Sequence, residues 1–265
     1  MKRNKVISIL LSVCLPVFTF GAAMADQTLK PDGAPKPTPT SIPTLAPSQD
    51  VWPALPPLTP AGYLSPEAGV EEFVHADVEK GLWIYISDGL RVQIQRFTDP
   101  NMPLIWYEAN IRTKGDEVLR SVPANPKRPA GTMNRPETIA RSNQLVFAVN
   151  DDQFVQRKTD ETVVGVIVRG GKIYNKTTLR SGSNGFPTLE TMALFPDGNL
   201  RVYQSREHTS QEYIDMGATD VFSFDPILIR DGIVNEKLSG LYVNSMQPRC
   251  GFGMVEPYHY VCVVA

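Results

Sequence analysis

Cysteine is nearly absent from this chain, with 3 in 265 residues, and the first of them, Cys14, lies inside an N-terminal apolar run. Cys250 and Cys262 lack the C-x-x-C spacing of a structural zinc site, so neither a disulfide framework nor a zinc fold is implied. In an oxidising compartment they either pair or persist as buried thiols, and the 12 positions and turn between them leave both outcomes open. Histidine is scarce as well. His75, His208 and His259 stand apart, and Asp151-Asp152 lacks the alternating ligand spacing of a calcium loop, so no metal or other cofactor is implied. There is no Gly-x-Ser-x-Gly elbow and no phosphate-cradling P-loop. An excess of one charge is also missing. The 26 basic and 28 acidic residues leave a net charge of -2, which gives no electrostatic case for nucleic acid or an anionic membrane surface as partner. One locally basic region, with Lys114, Lys127, Arg128, Arg135 and Arg141, is diluted by prolines and carboxylates and reads as a solvated loop. No fixed-period repeat is present, which argues against a propeller or solenoid.

What the chain does have begins at its N-terminus. Lys2, Arg3 and Lys5 precede the apolar run from Val6 to Phe20, and Ala23-Met24-Ala25 supplies a small-x-small cleavage site. Residues 1–25 therefore read as a signal peptide, and the mature protein as secreted or extracytoplasmic and associated with the cell envelope. Pro16 and the polar residues that follow argue against a permanent anchor, and Val13 is too bulky for the residue preceding a lipidated Cys14. Residues 26–65 are rich in Pro, Thr, Ala and Ser. Such a tract cannot bury enough apolar surface to offset its chain entropy, and its prolines stiffen it toward polyproline II, so it reads as a disordered spacer. Trp52, Leu55 and Leu58 are candidates to dock its end onto the folded body.

Residues 66–265 read as one strand-rich α+β domain of mixed sheets with a few short helices. Ser65-Pro66-Glu67 suits an N-cap and first helical turn. Hairpins are expected from Leu82-Ile86 with Leu90-Phe97, Val163-Val168 with Lys172-Tyr174, Met192-Phe195 with Leu200-Tyr203, and Gly251-Val255 with His259-Ala265, and a strand at Ile227-Arg230 followed by the turn Asp231-Gly232. Further strands are expected at Leu104-Ile111 and Val221-Phe224. Capping boxes at Asn134-Arg135-Pro136-Glu137 and Thr209-Ser210-Gln211-Glu212 predict helices ending near Arg141 and Gly217. At the centre stands Leu145-Val146-Phe147-Ala148-Val149, an apolar run expected to be a buried strand, which stops at Asn150-Asp151-Asp152-Gln153-Phe154. Asn and Asp there can turn the backbone through their own side chains, or hold a polar ligand. The chain ends within the apolar run Tyr260 to Ala265, which raises the expectation that further residues follow.

Several stretches, in this order, resemble the phosphodiester glycosidase family: Ala148 to Phe154, Gly165-Val166-Ile167-Val168, Leu194-Phe195-Pro196-Asp197-Gly198, Phe224 to Gly232, and Pro248-Arg249-Cys250-Gly251-Phe252-Gly253. The resemblance runs from about Leu82 to the end. It implies hydrolysis of a sugar-1-phosphodiester in envelope or extracellular polysaccharide, with a carbohydrate or sugar-phosphate as partner and possible contact with cell wall. The other outcome is a non-catalytic carbohydrate-binding or polysaccharide-assembly domain on the same scaffold. It also implies segments beyond the last strand that lie past Ala265.

Cleaving such a linkage needs a cation for the phosphate and carboxylates for proton transfer. Arg249 suits the first task, because guanidinium offers paired donors and stays charged; the competing role is a structural cap on a strand. Asp152 and Asp151 are the candidate acid or base, or orient Asn150 toward sugar hydroxyls, or only form the turn. Arg157 is a further candidate phosphate contact, or a solvated side chain. His259, with Glu256, flanks the last turn as a candidate substrate contact, or as a plain hairpin residue.

Overall fold

The computed structural model describes residues 52–115, 119–125, 134–150, 152, 165–176, 189–224, 226–238 and 248–265. In chain order these form β1 (Glu72–Asp77), β2 (Leu82–Ser87), β3 (Leu90–Thr98), β4 (Ile105–Thr113), α1 (Pro136–Asn143), β5 (Val166–Arg169) and β6 (Lys172–Lys176). They continue with β7 (Thr191–Leu194), β8 (Leu200–Tyr203), α2 (Ser210–Asp215), β9 (Asp220–Ser223), β10 (Ile229–Arg230), β11 (Ile233–Val234), β12 (Cys250–Glu256) and β13 (His259–Val264). One sheet has the order β1-β2-β3-β4-β13-β12, a second β6-β5-β9-β7-β8, and β10-β11 form a separate ribbon. Every strand pairing among the described residues is antiparallel, where mixed sheets were expected. Hairpin connections account for the consecutive pairs, whereas β4–β13, β5–β9 and β7–β9 bring together strands distant in sequence, also antiparallel.

Strand alternation gives the six-stranded sheet two different faces. On one, Leu82, Ile84 and Ile86 pack under Leu64, with Trp52, Leu55, Leu58 and Phe73 around them. The end of the proline-rich tract therefore docks as expected, and the packed body starts ahead of Ser65. On the other face, Val92, Ala109, Ile111, Tyr260 and Cys262 meet Leu194, Leu200 and Phe222 of the second sheet. Tyr260, fully buried, spans the layer and donates to the Gly198 carbonyl at 2.8 Å; burial pushes its phenol up to about 12. The apolar character of the last strand follows from its place: β13 lies between β4 and β12, with its Tyr260 and Cys262 side chains in the shared core. Cys250 and Cys262 are free thiols, with their sulfurs 3.7 Å apart on the same face of the β12–β13 pair.

Two local expectations fail for identifiable reasons. Residues 145–149 join no strand ladder among the described residues; Phe147 and Val149 instead drive into the core between the sheets. Burial, rather than sheet pairing, accounts for their apolar run. At the start of α1 the N-cap is Arg135 without a side-chain cap, because the Asn134 carboxamide oxygen accepts from the Arg135 N–H at 2.8 Å. The second box does form: Thr209 accepts from the Glu212 N–H, and Glu212 accepts from the Thr209 N–H. Edge strand β1 gave no sequence signal, since its exposed and half-buried residues alternate around a single large side chain, Phe73.

Candidate functional site

The polar tip follows directly from the core. Val149 is fully buried, so the next residue, Asn150, emerges at the margin of the inter-sheet layer. Its side-chain oxygen is buried and accepts no hydrogen bond from the described residues. Asp152 is enclosed, only 5% exposed. One carboxylate oxygen forms an ion pair with Arg169, and the other accepts from the Ser223 N–H at 3.0 Å. Arg169 is pinned in turn: it donates to the carbonyls of Val168 at 2.8 Å and Val221 at 2.7 Å, and lies over the Phe222 ring at 4.3 Å from the centroid. A guanidinium with this many fixed partners cannot swing away, and it supplies the counter-charge that a buried carboxylate requires.

A second carboxylate completes the group. Asp220, 3% exposed, lies beside Arg169 and accepts from the Gly170 N–H at 3.4 Å. Burial pushes its carboxyl up, with Arg169 pulling the other way. Two buried acids thus share the neighbourhood of one cation, in unlike surroundings. Sequence reading missed both Arg169 and Asp220. The available signal was a charged residue at each end of an otherwise apolar strand, Val166-Ile167-Val168-Arg169 and Asp220-Val221-Phe222.

Gly165 lets this cluster close. Its φ is +92°, and a Cβ there would run into the Ser223 side chain, whose hydroxyl donates to the Val166 carbonyl at 2.8 Å. Gly165→Ala is expected to destabilise the fold by about 1–3 kcal/mol through the left-handed backbone and displacement of Ser223. Chemical denaturation measures this, and a variant as stable as the parent would contradict the placement of Ser223 against β5.

Arg249 lies just ahead of β12, its backbone exchanging hydrogen bonds with Ala265 at 2.7 and 2.9 Å, and its Nε is buried. Its neighbour Cys250 packs against the core cluster that contains Val149, the neighbour of Asn150. The chain neighbours of Asn150 and Arg249, Val149 and Cys250, thus share one core cluster. His259 is set apart from them. Alternation along β13 turns it away from Tyr260 and Cys262, to the face where its Nε2 meets the Asn110 oxygen at 3.2 Å and its Nδ1 lies 3.6 Å from Glu256. Asp151 and Arg157 lie outside the described residues.

Burial and the positive charge of Arg112 hold the His259 imidazole below the usual histidine range, with Glu256 opposing them. The folded state therefore binds this proton less readily than the unfolded chain. Stability from this group is present above the unfolded value, near 6.5, and is lost as pH falls through the depressed folded value. The melting temperature is expected to decline between pH 7 and 5, and less steeply in His259→Gln; identical slopes would contradict the assignment.

Residues 143–265 match the family model described as phosphodiester glycosidase. No curated protein matches the chain.

Proposed function

We propose that this chain, whose residues 143–265 match the phosphodiester glycosidase family model, is an exported hydrolase that cleaves a sugar-1-phosphodiester in envelope or extracellular polysaccharide. The family implies a carbohydrate-type substrate, and the leader-like residues 1–25 support export. The observation that carries the reading is that the matched region contains both Arg249 and the polar tip, next to Cys250 and Val149, which pack in one core cluster.

In this reading Arg249 takes the phosphate charge, and the buried amide oxygen of Asn150 accepts from a sugar hydroxyl. Asp152 is a positioning residue: both its oxygens are engaged, so it fixes the tip through Arg169 and Ser223. Proton transfer falls to Asp151, its neighbour in the sequence. The bond from the anomeric carbon to the phosphate oxygen breaks, water supplies the hydroxyl of the released sugar, and its proton passes to the carboxylate. His259, at the end of β13 opposite to Ala265, the backbone partner of Arg249, takes no part.

The test is release of N-acetylglucosamine from UDP-N-acetylglucosamine, and of sugar from a p-nitrophenyl sugar phosphodiester. Asp151→Asn is expected to retain the parent melting temperature and lose turnover, whereas Asp152→Asn loses both. Glycan binding without turnover on either substrate would sink the enzyme reading and leave a carbohydrate-binding domain.

A further inference from the structure

A cleft of about 860 Å³ lies at the β1 end of the six-stranded sheet, under the chain leaving α1. Trp83, Tyr85 and Ile94 line it from the sheet, and Leu145 and Val146 from the opposite side. Glu72, Asn143 and Gln144 add polar groups. The Tyr85 hydroxyl donates to Glu72 at 3.0 Å in an exposed position, so a phenol and a carboxylate stand together at the solvent side. Among the described residues no lysine or arginine lines the cleft, and neither Asn150, Asp152 nor Arg249 does.

Gln144 has a feature of its own. It ends α1 at a φ of 53°, with its N–H bonded to the carbonyls of Ala140 and Arg141. Glycine is the usual residue for a left-handed helix end, because a side chain makes that backbone unfavourable. Here the position carries a long, exposed side chain that itself lines the cleft.

We propose that this cleft binds a neutral sugar unit of a glycan, apart from the site that holds the phosphate. Half-buried Trp83 and Tyr85 offer flat apolar faces for the C–H side of a pyranose ring. Carboxylate, phenol and amide are the donors and acceptors that hydroxyls require, and a few such groups on an apolar wall are the usual make-up of a small-ligand site. With Glu72 and His75 in the lining and no lysine or arginine there among the described residues, a strongly anionic group lacks a permanent counter-charge, whereas a neutral ring needs none. Val146 precedes Asn150 by 4 residues, so at most ~14 Å of chain joins the cleft to the polar tip. As a foothold for the polymer that bears the scissile bond, the cleft rests on the glycosidase reading; the binding itself does not.

Isothermal titration of the chain with cellotetraose, maltotetraose and chitotetraose tests the proposal, with turnover measured in parallel. At least one tetrasaccharide is expected to bind saturably. Affinity should fall at least tenfold in Trp83→Ala and several-fold in Gln144→Ala, an exposed position where folding is not at stake, and should be unchanged in Arg249→Ala. No saturable heat from any of the three, or equal affinity in Trp83→Ala and Gln144→Ala, overturns the cleft. Turnover without such binding leaves the glycosidase standing and removes the foothold; binding without turnover does the reverse.

Discussion

Replacing Arg249 with alanine leaves a folded protein whose turnover on a sugar-1-phosphodiester has dropped by about 10²–10³-fold, the usual effect of removing one preorganised group aimed at developing charge. The backbone at this position is held by its exchange with Ala265, which does not involve the side chain, so the strand pair is expected to survive. Lysine restores only part of the rate, because a point charge replaces a fork that can grip two phosphate oxygens. The loss should appear mainly in kcat if Arg249 stabilises the departing phosphate, and mainly in KM if it only holds substrate. Circular dichroism and melting separate either result from unfolding. A variant with full activity would remove Arg249 from the site.

Replacing Arg169 has the largest effect on stability. Arg169→Ala strands the Asp152 carboxylate, whose side chain is 2% exposed, without its counter-charge. Breaking a buried pair by removing one partner costs about 3–5 kcal/mol. The loss also reaches Asp220, whose carboxyl is already pushed up by burial and is eased first by the same guanidinium, then by hydrogen bonds from Thr219, Gly170 and Ser121. The double variant Asp152→Asn/Arg169→Ala is expected to recover part of that stability, because no lone charge remains at the Asp152–Arg169 contact. It does not recover activity, since the turn that presents Asn150 is no longer tied to β5 and β9. Urea unfolding of the two singles and the double forms the cycle; additive losses would mean that the two side chains do not act as a pair.

Much of the fold was legible because its hairpins are local. Leu82 to Phe97, Met192 to Tyr203 and Cys250 to Val264 each carry the alternation and turn residues that specify two paired strands. What was not legible is what depends on distant partners. Nothing near Leu145 to Val149 says whether an apolar run pairs in a sheet or fills the space between two, and the structure shows the second for Phe147 and Val149. The site divides in the same way. Asn150, Asp152 and Arg249 were visible as polar residues against apolar runs. Arg169 and Asp220 were not, because their importance comes from meeting Asp152's neighbourhood across 17 and 68 residues of sequence. His259 was read as a substrate contact or a plain hairpin residue, and it stands at the end of β13 away from Ala265, the backbone partner of Arg249.

The most direct measurement follows the oxygen. Run in ¹⁸O-labelled water with UDP-N-acetylglucosamine, the chain is expected to deliver the label to the anomeric hydroxyl of the released N-acetylglucosamine, with none in the UDP. Label in the phosphate would mean cleavage on the phosphorus side, and that result, or the absence of turnover, contradicts the account of a glycosidase acting on a sugar phosphodiester.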